Sequence, residues 1–192
     1  MFLKGLPHFI NILQAIFNDM ITIISATNRK GSITAKVACL YSELLRQIDV
    51  ENQVMDLCDL PADFMFTNFY GSTTKPFVDI VDTYITKADR FVVISPEYHG
   101  SYPGVFKAFI DCVGGEGIKS KKVALVGVST GRAGNLRGME HLTSLFHHLK
   151  AEVFSSKPKL SEIHKSLNES GEIKNPETEM LLQDQIKRFL DF

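Results

Sequence analysis

Cysteine is scarce in this sequence, and its few copies are widely separated. The 192 residues include three cysteines, Cys39, Cys58 and Cys112, and none belongs to a CxxC pair. An odd number of isolated cysteines indicates neither a zinc or iron–sulfur ligand set nor a disulfide framework. We therefore expect no metal site and a protein of a reducing compartment, the cytoplasm.

The sequence also lacks an excess of charge of either sign. Its 21 Lys and Arg residues and 22 Asp and Glu residues give a formal net charge of −1, which argues against nucleic acid or an anionic membrane as a partner. No apolar run reaches the roughly 18 residues of a membrane-spanning helix. Hydrophobic residues make up 44% and charged residues 22%, which is typical of a globular domain with a substantial core.

The first nineteen residues differ in pattern from the rest. They lack the clustered positive charge and the small-residue cleavage site of a secretory signal. Large apolar residues follow helical spacing here: Phe9, Leu13, Ile16 and Phe17. Two interpretations of residues 1–19 stay open, an extra helix that packs on a partner subunit or on the chain's own sheet, and a non-native leader before a natural start at Met20. Residues 20–192 are expected to form the functional domain.

From residue 20 onward, short apolar runs alternate with amphipathic stretches. The runs indicate buried strands at residues 20–25, 53–57, 91–95, 122–128 and, more briefly, 151–154. Helical spacing recurs at residues 37–48, 77–85, 105–113 and 142–149, and a last helix is expected after Pro176. The polar stretch 155–175 is predicted as loop. The alternation predicts a three-layer α/β/α sandwich around a five-stranded parallel sheet of order 2-1-3-4-5.

The loop after the first predicted strand, ATNRKGSIT, is the first candidate for a ligand site, because ligands of such sheets bind at the carboxyl ends of the strands. A helix N-terminus presents unpaired N–H groups that attract phosphate. Thr27, Ser32 and Thr34 add hydroxyl groups, and Arg29 adds a charged fork. The plainer alternative is that Ser32 or Thr34 only caps the helix. The loop has neither GxGxxG nor GxxxxGK[ST], so a monophosphate is the expected ligand.

The loop after the third predicted strand, PEYHGSYPG, is the second candidate. A flat heteroaromatic ring requires an apolar wall and backbone donors that face its polar edge. Tyr98 and the extended backbone after Pro96 can supply both. The alternative is a rigid connection without a ligand, and these residues alone leave the two open.

The loop after the fourth predicted strand, STGRAGNLRG, is rich in glycine. Its glycines allow the backbone to approach a planar ligand closely. The alternative is a flexible surface turn, which is the better interpretation for such a loop taken alone.

Taken together, the three loops and their flanks resemble the NADPH-dependent FMN reductase family. The segments are IISATNRKGSITAKVA, PEYHGSYPGVFKAFID and VALVGVSTGRAGNLRGMEHL, and the resemblance covers roughly residues 20 to 154. The second segment, with its pattern PEY-x-x-S-x-PG-x-x-K-x-x-ID, is the most specific. The resemblance implies a flavodoxin-like fold, non-covalently bound FMN as cofactor and NAD(P)H as co-substrate.

The resemblance also assigns residues to FMN binding. They are Thr27, Arg29, Ser32, Thr34, Pro96, Glu97, Tyr98, His99, Gly100, Ser129, Thr130, Gly131 and Gly134. Because hydride chemistry belongs to the flavin, no side chain is expected to be catalytic. The chain departs from the family pattern at Ala26 (usually Gly), Thr27 (Ser), Thr34 (Asn), His99 (Asn) and Cys112 (Trp). These departures bear on substrate preference and not on flavin binding.

The function that the resemblance implies is an FMN-dependent NAD(P)H oxidoreductase. It would reduce a small acceptor, such as a flavin, quinone, azo compound or metal oxyanion, by a ping-pong hydride mechanism, and it would be a homodimer or homotetramer. Two alternatives stay open: a flavin-binding electron carrier or redox sensor without NAD(P)H turnover, and a scaffold that has lost its flavin. The phosphate loop disfavours the scaffold.

Overall fold

A parallel sheet is the middle layer of the protein. The structure is a computed structural model that describes residues 20–69 and 71–192, so both interpretations of residues 1–19 lie outside the described residues. The strands are β1 Ile21–Ser25, β2 Asn52–Asp56, β3 Arg90–Pro96, β4 Lys122–Val128, β5 Glu152–Val153 and β6 Lys159–Leu160. The strands β1, β3 and β4 are almost wholly buried, as expected for unbroken apolar runs in a sheet covered on both faces.

The strand order β2-β1-β3-β4-β5 confirms the predicted topology. The predicted fifth strand, residues 151–154, is present as the shorter β5, and a sixth strand, β6, lies on the same edge. Strand β5 pairs with the beginning of β4, at Lys122 and Val123, and β6 pairs with its end, at Gly127 and Val128. The stretch 155–175, predicted as loop, therefore contains β6. A strand of two residues is too short to show a hydrophobic periodicity in the sequence.

Six helices are described around the sheet. They are α1 Ile33–Arg46, α2 Phe64–Thr67, α3 Lys75–Val81, α4 Gly104–Val113, α5 Leu136–His148 and α6 Pro176–Leu190. The helical pattern at residues 77–85 continues beyond α3 as one π-helical turn, Asp82–Thr86. Ile48, predicted as part of the first helix, lies beyond the end of α1 and is 52% exposed. The short helix α2 was not predicted.

The core consists of two apolar layers, one on each face of the sheet. Four phenylalanines from α3, α4 and α5 fill one layer: Phe77, Phe106, Phe109 and Phe146. On the other face, α1 and α6 pack side chains such as Val37, Leu182 and Phe189 against the sheet. Within the described residues, every helix is too short or too polar to cross a membrane.

One buried polar side chain joins three elements of the second layer. Gln185 on α6 is fully buried; its Nε2 donates to the carbonyl oxygens of Leu125 on β4, at 3.0 Å, and of Ser156, at 2.8 Å. The Tyr41 hydroxyl on α1 donates to Gln185 Oε1 at 3.1 Å. Burial raises the pKa of Tyr41, so the hydroxyl stays protonated and keeps donating. Gln185 thus connects both helices to the sheet.

Replacing Gln185 by leucine should destabilise the fold. The substitution leaves the Tyr41 hydroxyl and the Leu125 carbonyl without their partner in the interior, which costs roughly 2–4 kcal/mol in the free energy of unfolding. Urea unfolding followed by circular dichroism measures this. Gln183→Leu, at an exposed position of the same helix, is the matched control and should change the value by less than about 0.5 kcal/mol. Equal stability of the two variants would contradict the role given to Gln185.

Candidate functional site

A cleft opens at the carboxyl ends of β1, β3 and β4, where the strand order reverses between β1 and β3. This is the expected position of a ligand site in a doubly wound sheet. The cavity volume is about 220 Å³. The lining residues are Arg29, Gly31, Ser32, Ile33, Thr34, Pro96, Glu97, Tyr98, Val128, Ser129, Thr130 and Ile163. The structure thus brings the three predicted loops together around one space.

The first loop ends in the N-terminus of α1, and Ser32 is its N-cap. The Ser32 side-chain oxygen accepts the backbone N–H of Ala35 at 3.0 Å, so the capping interpretation is correct for Ser32. The next two N–H groups, those of Ile33 and Thr34, have no acceptor among residues 20–69 and 71–192. They lie in the cleft lining beside Arg29. Capping and anion binding are therefore compatible here, because the cap uses only one of the free donors.

Thr27 connects the first loop to the second instead of lining the cleft. Its side chain is fully buried, and its Oγ1 lies 2.8 Å from the hydroxyl oxygen of Tyr98. The backbone N–H of Arg29 also donates to Thr27 Oγ1, at 3.2 Å. The hydroxyl group that was predicted to contact a ligand thus fixes the position of the Tyr98 ring relative to the first loop.

The second loop turns sharply directly after Tyr98. Tyr98 and Ser101 exchange two backbone hydrogen bonds, of 2.8 and 3.1 Å, across His99 and Gly100. Both residues in the turn have positive φ, 52° and 76°, the geometry in which Asn-Gly is preferred. The family's asparagine suits this position, and His99 takes a conformation that few other residues tolerate. His99 and Gly100 lie outside the cleft lining, so the turn directs Tyr98 rather than forming the wall.

The third loop rests on the segment that was predicted as plain loop. Ser129 donates its N–H to the Leu160 carbonyl on β6 at 3.0 Å, and Ile163 donates to the Ser129 carbonyl at 3.1 Å. Gly131 accepts the N–H of Glu162 at 3.0 Å. Ile163 consequently reaches the cleft lining, a position that sequence reasoning missed. The only signal in the sequence was that Ile163 is one of four Leu or Ile residues in the stretch 155–175.

Gly134 serves packing rather than ligand contact. Its φ is +56°, and a Cβ atom at this position would lie 2.7 Å from Lys159 Cβ and 2.9 Å from the Lys159 carbonyl carbon. Gly131 differs, since its Cβ would meet only Ser129 Oγ, at 3.4 Å. Neither glycine lines the cleft. Of the third-loop residues assigned to the cofactor, Ser129 and Thr130 do line it.

Asn135 holds the second and third loops together and was not predicted from the sequence. It is fully buried with a φ of 63°, and its Nδ2 donates to the carbonyl oxygens of Ser95, at 2.9 Å, and Pro96, at 3.1 Å. Gly138 makes room for it, because a Cβ at position 138 would lie 2.0 Å from Asn135 Oδ1. The start of α5 is thereby fastened to the end of β3.

Cys58 lies next to the first loop but has the properties of a structural residue. Its Sγ is 3.9 Å from the Thr27 carbonyl oxygen. Burial raises the pKa of the thiol, and the nearby carboxylate of Asp56 raises it further. A thiol held in its protonated form is a weak nucleophile, so Cys58 is assigned no chemical role. The charged side chains in the cleft lining are those of Arg29 and Glu97.

The family model and two similar proteins that match this chain are all described as NADPH-dependent reductases of or with FMN. The family model described as NADPH-dependent FMN reductase matches residues 20–165. The FMN-dependent NADPH-azoreductase of Staphylococcus saprophyticus is 30% identical over 112 residues, which cover 57% of this chain and 60% of that protein. The azoreductase of the same description from Staphylococcus aureus is 29% identical over 116 residues. The aligned part thus spans about three fifths of the length of these relatives.

Solved structures agree on the fold. FerB, a flavoenzyme NAD(P)H:(acceptor) oxidoreductase from Paracoccus denitrificans, superposes with a TM-score of 0.73 at 22% identity, over 90% of this chain and 96% of that one. A flavodoxin from Streptococcus pneumonia superposes with a TM-score of 0.57 at 15% identity, over 90% and 98% of the two chains. At these identities the likeness establishes the flavodoxin-like fold alone.

Two alanine substitutions in the third loop should behave differently. Gly134→Ala places a Cβ against the backbone of Lys159 in a left-handed conformation, so we expect a loss of roughly 2–4 kcal/mol in the free energy of unfolding. At Gly131 there is space for a Cβ atom and φ is not positive. Gly131→Ala should therefore lower the free energy of unfolding by less than about 1 kcal/mol. Denaturant unfolding of both variants tests the packing role, which would be wrong if the two losses were equal.

Proposed function

This chain belongs to the NADPH-dependent FMN reductase family, and we propose that it binds FMN non-covalently in the cleft and transfers electrons from NAD(P)H to a small acceptor. The observation that carries the proposal is that the N–H groups of Ile33 and Thr34, beside Arg29 in the cleft lining, have no acceptor within the part of the chain that the structure describes. They lie at the end of a cleft whose other walls come from two further loops. The names of the similar azoreductases, which specify FMN and NADPH, support the same cofactor and co-substrate.

The phosphate of the cofactor is assigned to the α1 end of the cleft. The N-terminus of the 14-residue helix α1 carries a partial positive charge, and two of its N–H groups are free to donate. Arg29 adds a full positive charge from an exposed position in the same lining. Gly31, with a φ of +63°, keeps the loop backbone close to this end without a side chain in the way.

The ring of the cofactor is assigned to the opposite wall, where Pro96, Tyr98 and Ile163 offer apolar surface and Thr130 offers a hydroxyl group. Glu97 also lies in the cleft lining. The N–H groups of Glu97 and Tyr98 are already donated to Val128 and Ser101, so neither is available to the ring, and we assign the Thr130 hydroxyl group as a donor to it.

When bound, FMN would supply the hydride and electron chemistry itself. The protein's contribution is then to bind and orient, and none of the lining side chains is assigned a proton-transfer role. The cavity of about 220 Å³ is smaller than the roughly 300–1,000 Å³ of sites that enclose a ligand. We propose that a ligand held by its phosphate in this cleft keeps one side open, where NAD(P)H and acceptor approach in turn, as a ping-pong mechanism requires.

The acceptor class and the assembly state belong to the same proposal. An open ring face selects for flat or small acceptors, and azo compounds are the acceptors that the similar staphylococcal proteins are named for. Flavins, quinones and metal oxyanions would reach the same opening. A homodimer or homotetramer is the assembly we propose.

Arg29→Ala should weaken FMN binding. Loss of a charge-assisted hydrogen bond costs roughly 1.5–3 kcal/mol, or about a 10- to 150-fold rise in Kd. Quenching of FMN fluorescence on titration with protein measures Kd. Lys30→Ala is the matched control, because Lys30 is exposed and adjacent but does not line the cleft; its effect should be below about 0.5 kcal/mol. Unchanged binding by Arg29→Ala would remove the phosphate assignment.

Reduction by a nicotinamide distinguishes the reductase from an electron carrier. The purified protein, loaded with FMN, is mixed anaerobically with NADPH or NADH in a stopped-flow instrument, and the visible flavin absorption is followed. Rapid bleaching, followed by recovery of colour when a quinone or azo dye is added, is the expected result. A protein that binds FMN but keeps its colour with both nicotinamides would be a carrier or sensor instead.

A further inference from the structure

An apolar groove lies between the C-terminal ends of α1 and α6. Its volume is about 500 Å³, and its lining residues are Leu44, Gln47, Ile48, Gln183, Ile186, Lys187, Leu190 and Asp191. The N-terminus of α1 faces the cleft, so the groove is at the opposite end of the same helix, about 20 Å away for a helix of this length. It takes no part in the proposed flavin site.

The chemistry of the groove fits an amphipathic helix better than a small polar ligand. Leu44 and Ile186 form a buried floor, Ile48 is 52% exposed, and Leu190 is partly exposed. The polar side chains of the groove, Gln47, Gln183, Lys187 and Asp191, are all exposed and so form a rim. An apolar floor with a polar rim is the surface that receives the apolar face of a helix.

The described chain begins beside this groove. Met20 lines a surface depression together with Arg46 and Asp49, and the residues between these two in sequence, Gln47 and Ile48, line the groove itself. The Met20 carbonyl accepts the N–H of Asp89 at 3.0 Å, which fixes this point at the amino edge of the sheet. The first described residue, Met20, therefore lies close to one end of the groove.

The sequence of residues 1–19 has the matching pattern. Four of its large apolar residues, Phe9, Leu13, Ile16 and Phe17, follow helical spacing, and Lys4 and Asp19 are its only Lys, Arg, Asp or Glu residues. As a helix, nineteen residues would be about 28 Å long. The groove runs along α6 from Gln183 to Asp191, about 12 Å, so the segment is long enough to span it. We propose that residues 1–19 of this chain dock in the groove between α1 and α6 through this apolar face.

The test uses the full chain and limited digestion with chymotrypsin, which cleaves after the phenylalanine and leucine residues of the segment. Docking should protect these bonds. Ile48→Arg and Leu190→Arg each place a charge on the apolar surface of the groove and should raise the rate of cleavage within residues 1–19 by about tenfold or more. Phe66→Arg is the matched control, since Phe66 is 80% exposed on α2 and outside the groove; its rate should equal that of the parent. Mass spectrometry locates the cuts.

The outcomes decide the proposal in both directions. Circular dichroism spectra like that of the parent ensure that the arginine variants are folded, and Leu190→Arg is a second, independent probe should Ile48→Arg fail this check. Faster cleavage in both groove variants, at a rate independent of protein concentration, supports docking within one chain. Cleavage as fast in the parent as in the variants would overturn it. Protection that disappears on dilution would also overturn it, because the groove would then hold the segment of a second copy.

Discussion

The cleft depends on the close approach of the third loop to the end of β4, which is possible only without side chains between them. A Cβ atom at Gly127, on β4, would lie 2.2 Å from the carbonyl oxygen of Gly134. The close approach of Gly134 to Gly127 packs the loop against β6. It also places Asn135 within hydrogen-bonding distance of the carbonyl groups at the end of β3. The second and third loops are then held at a fixed separation, and the width of the cleft follows from backbone packing rather than from any ligand.

The interactions of the first loop separate the groups that build the site from those that remain for a ligand. The hydroxyl groups of Thr27 and Ser32 are engaged within the protein, one with Tyr98 and one with the helix backbone. The donors left over at this end include backbone N–H groups, the Thr34 hydroxyl group and the guanidinium of Arg29. Because only substitution by proline removes a backbone donor, the phosphate site that we propose depends on the conformation of the loop more than on the identity of its hydroxyl-bearing residues. The proposal therefore accommodates the departures Thr27 and Thr34 from the family pattern.

The sequence predicted the sheet well because buried parallel strands are unbroken apolar runs, and β1, β3 and β4 are such runs. The order of the strands and the position of the cleft followed from the alternation of strands and helices. Strand β6, Ile163 and Asn135 could not be predicted in the same way. Two residues have no readable periodicity, and the roles of Ile163 and Asn135 arise from contacts with residues more than thirty positions away.

The division of the outer strand has a consequence for behaviour at high concentration. The edge of a sheet presents unpaired N–H and C=O groups to which another chain can add. Here that edge consists of two pieces of two residues each, Glu152–Val153 and Lys159–Leu160, and the intervening carbonyl groups of Ser156 and Pro158 are bound by Gln185 and Gly127. An incoming strand would find no continuous ladder on this side, so the interruption protects this edge of the sheet against intermolecular strand addition.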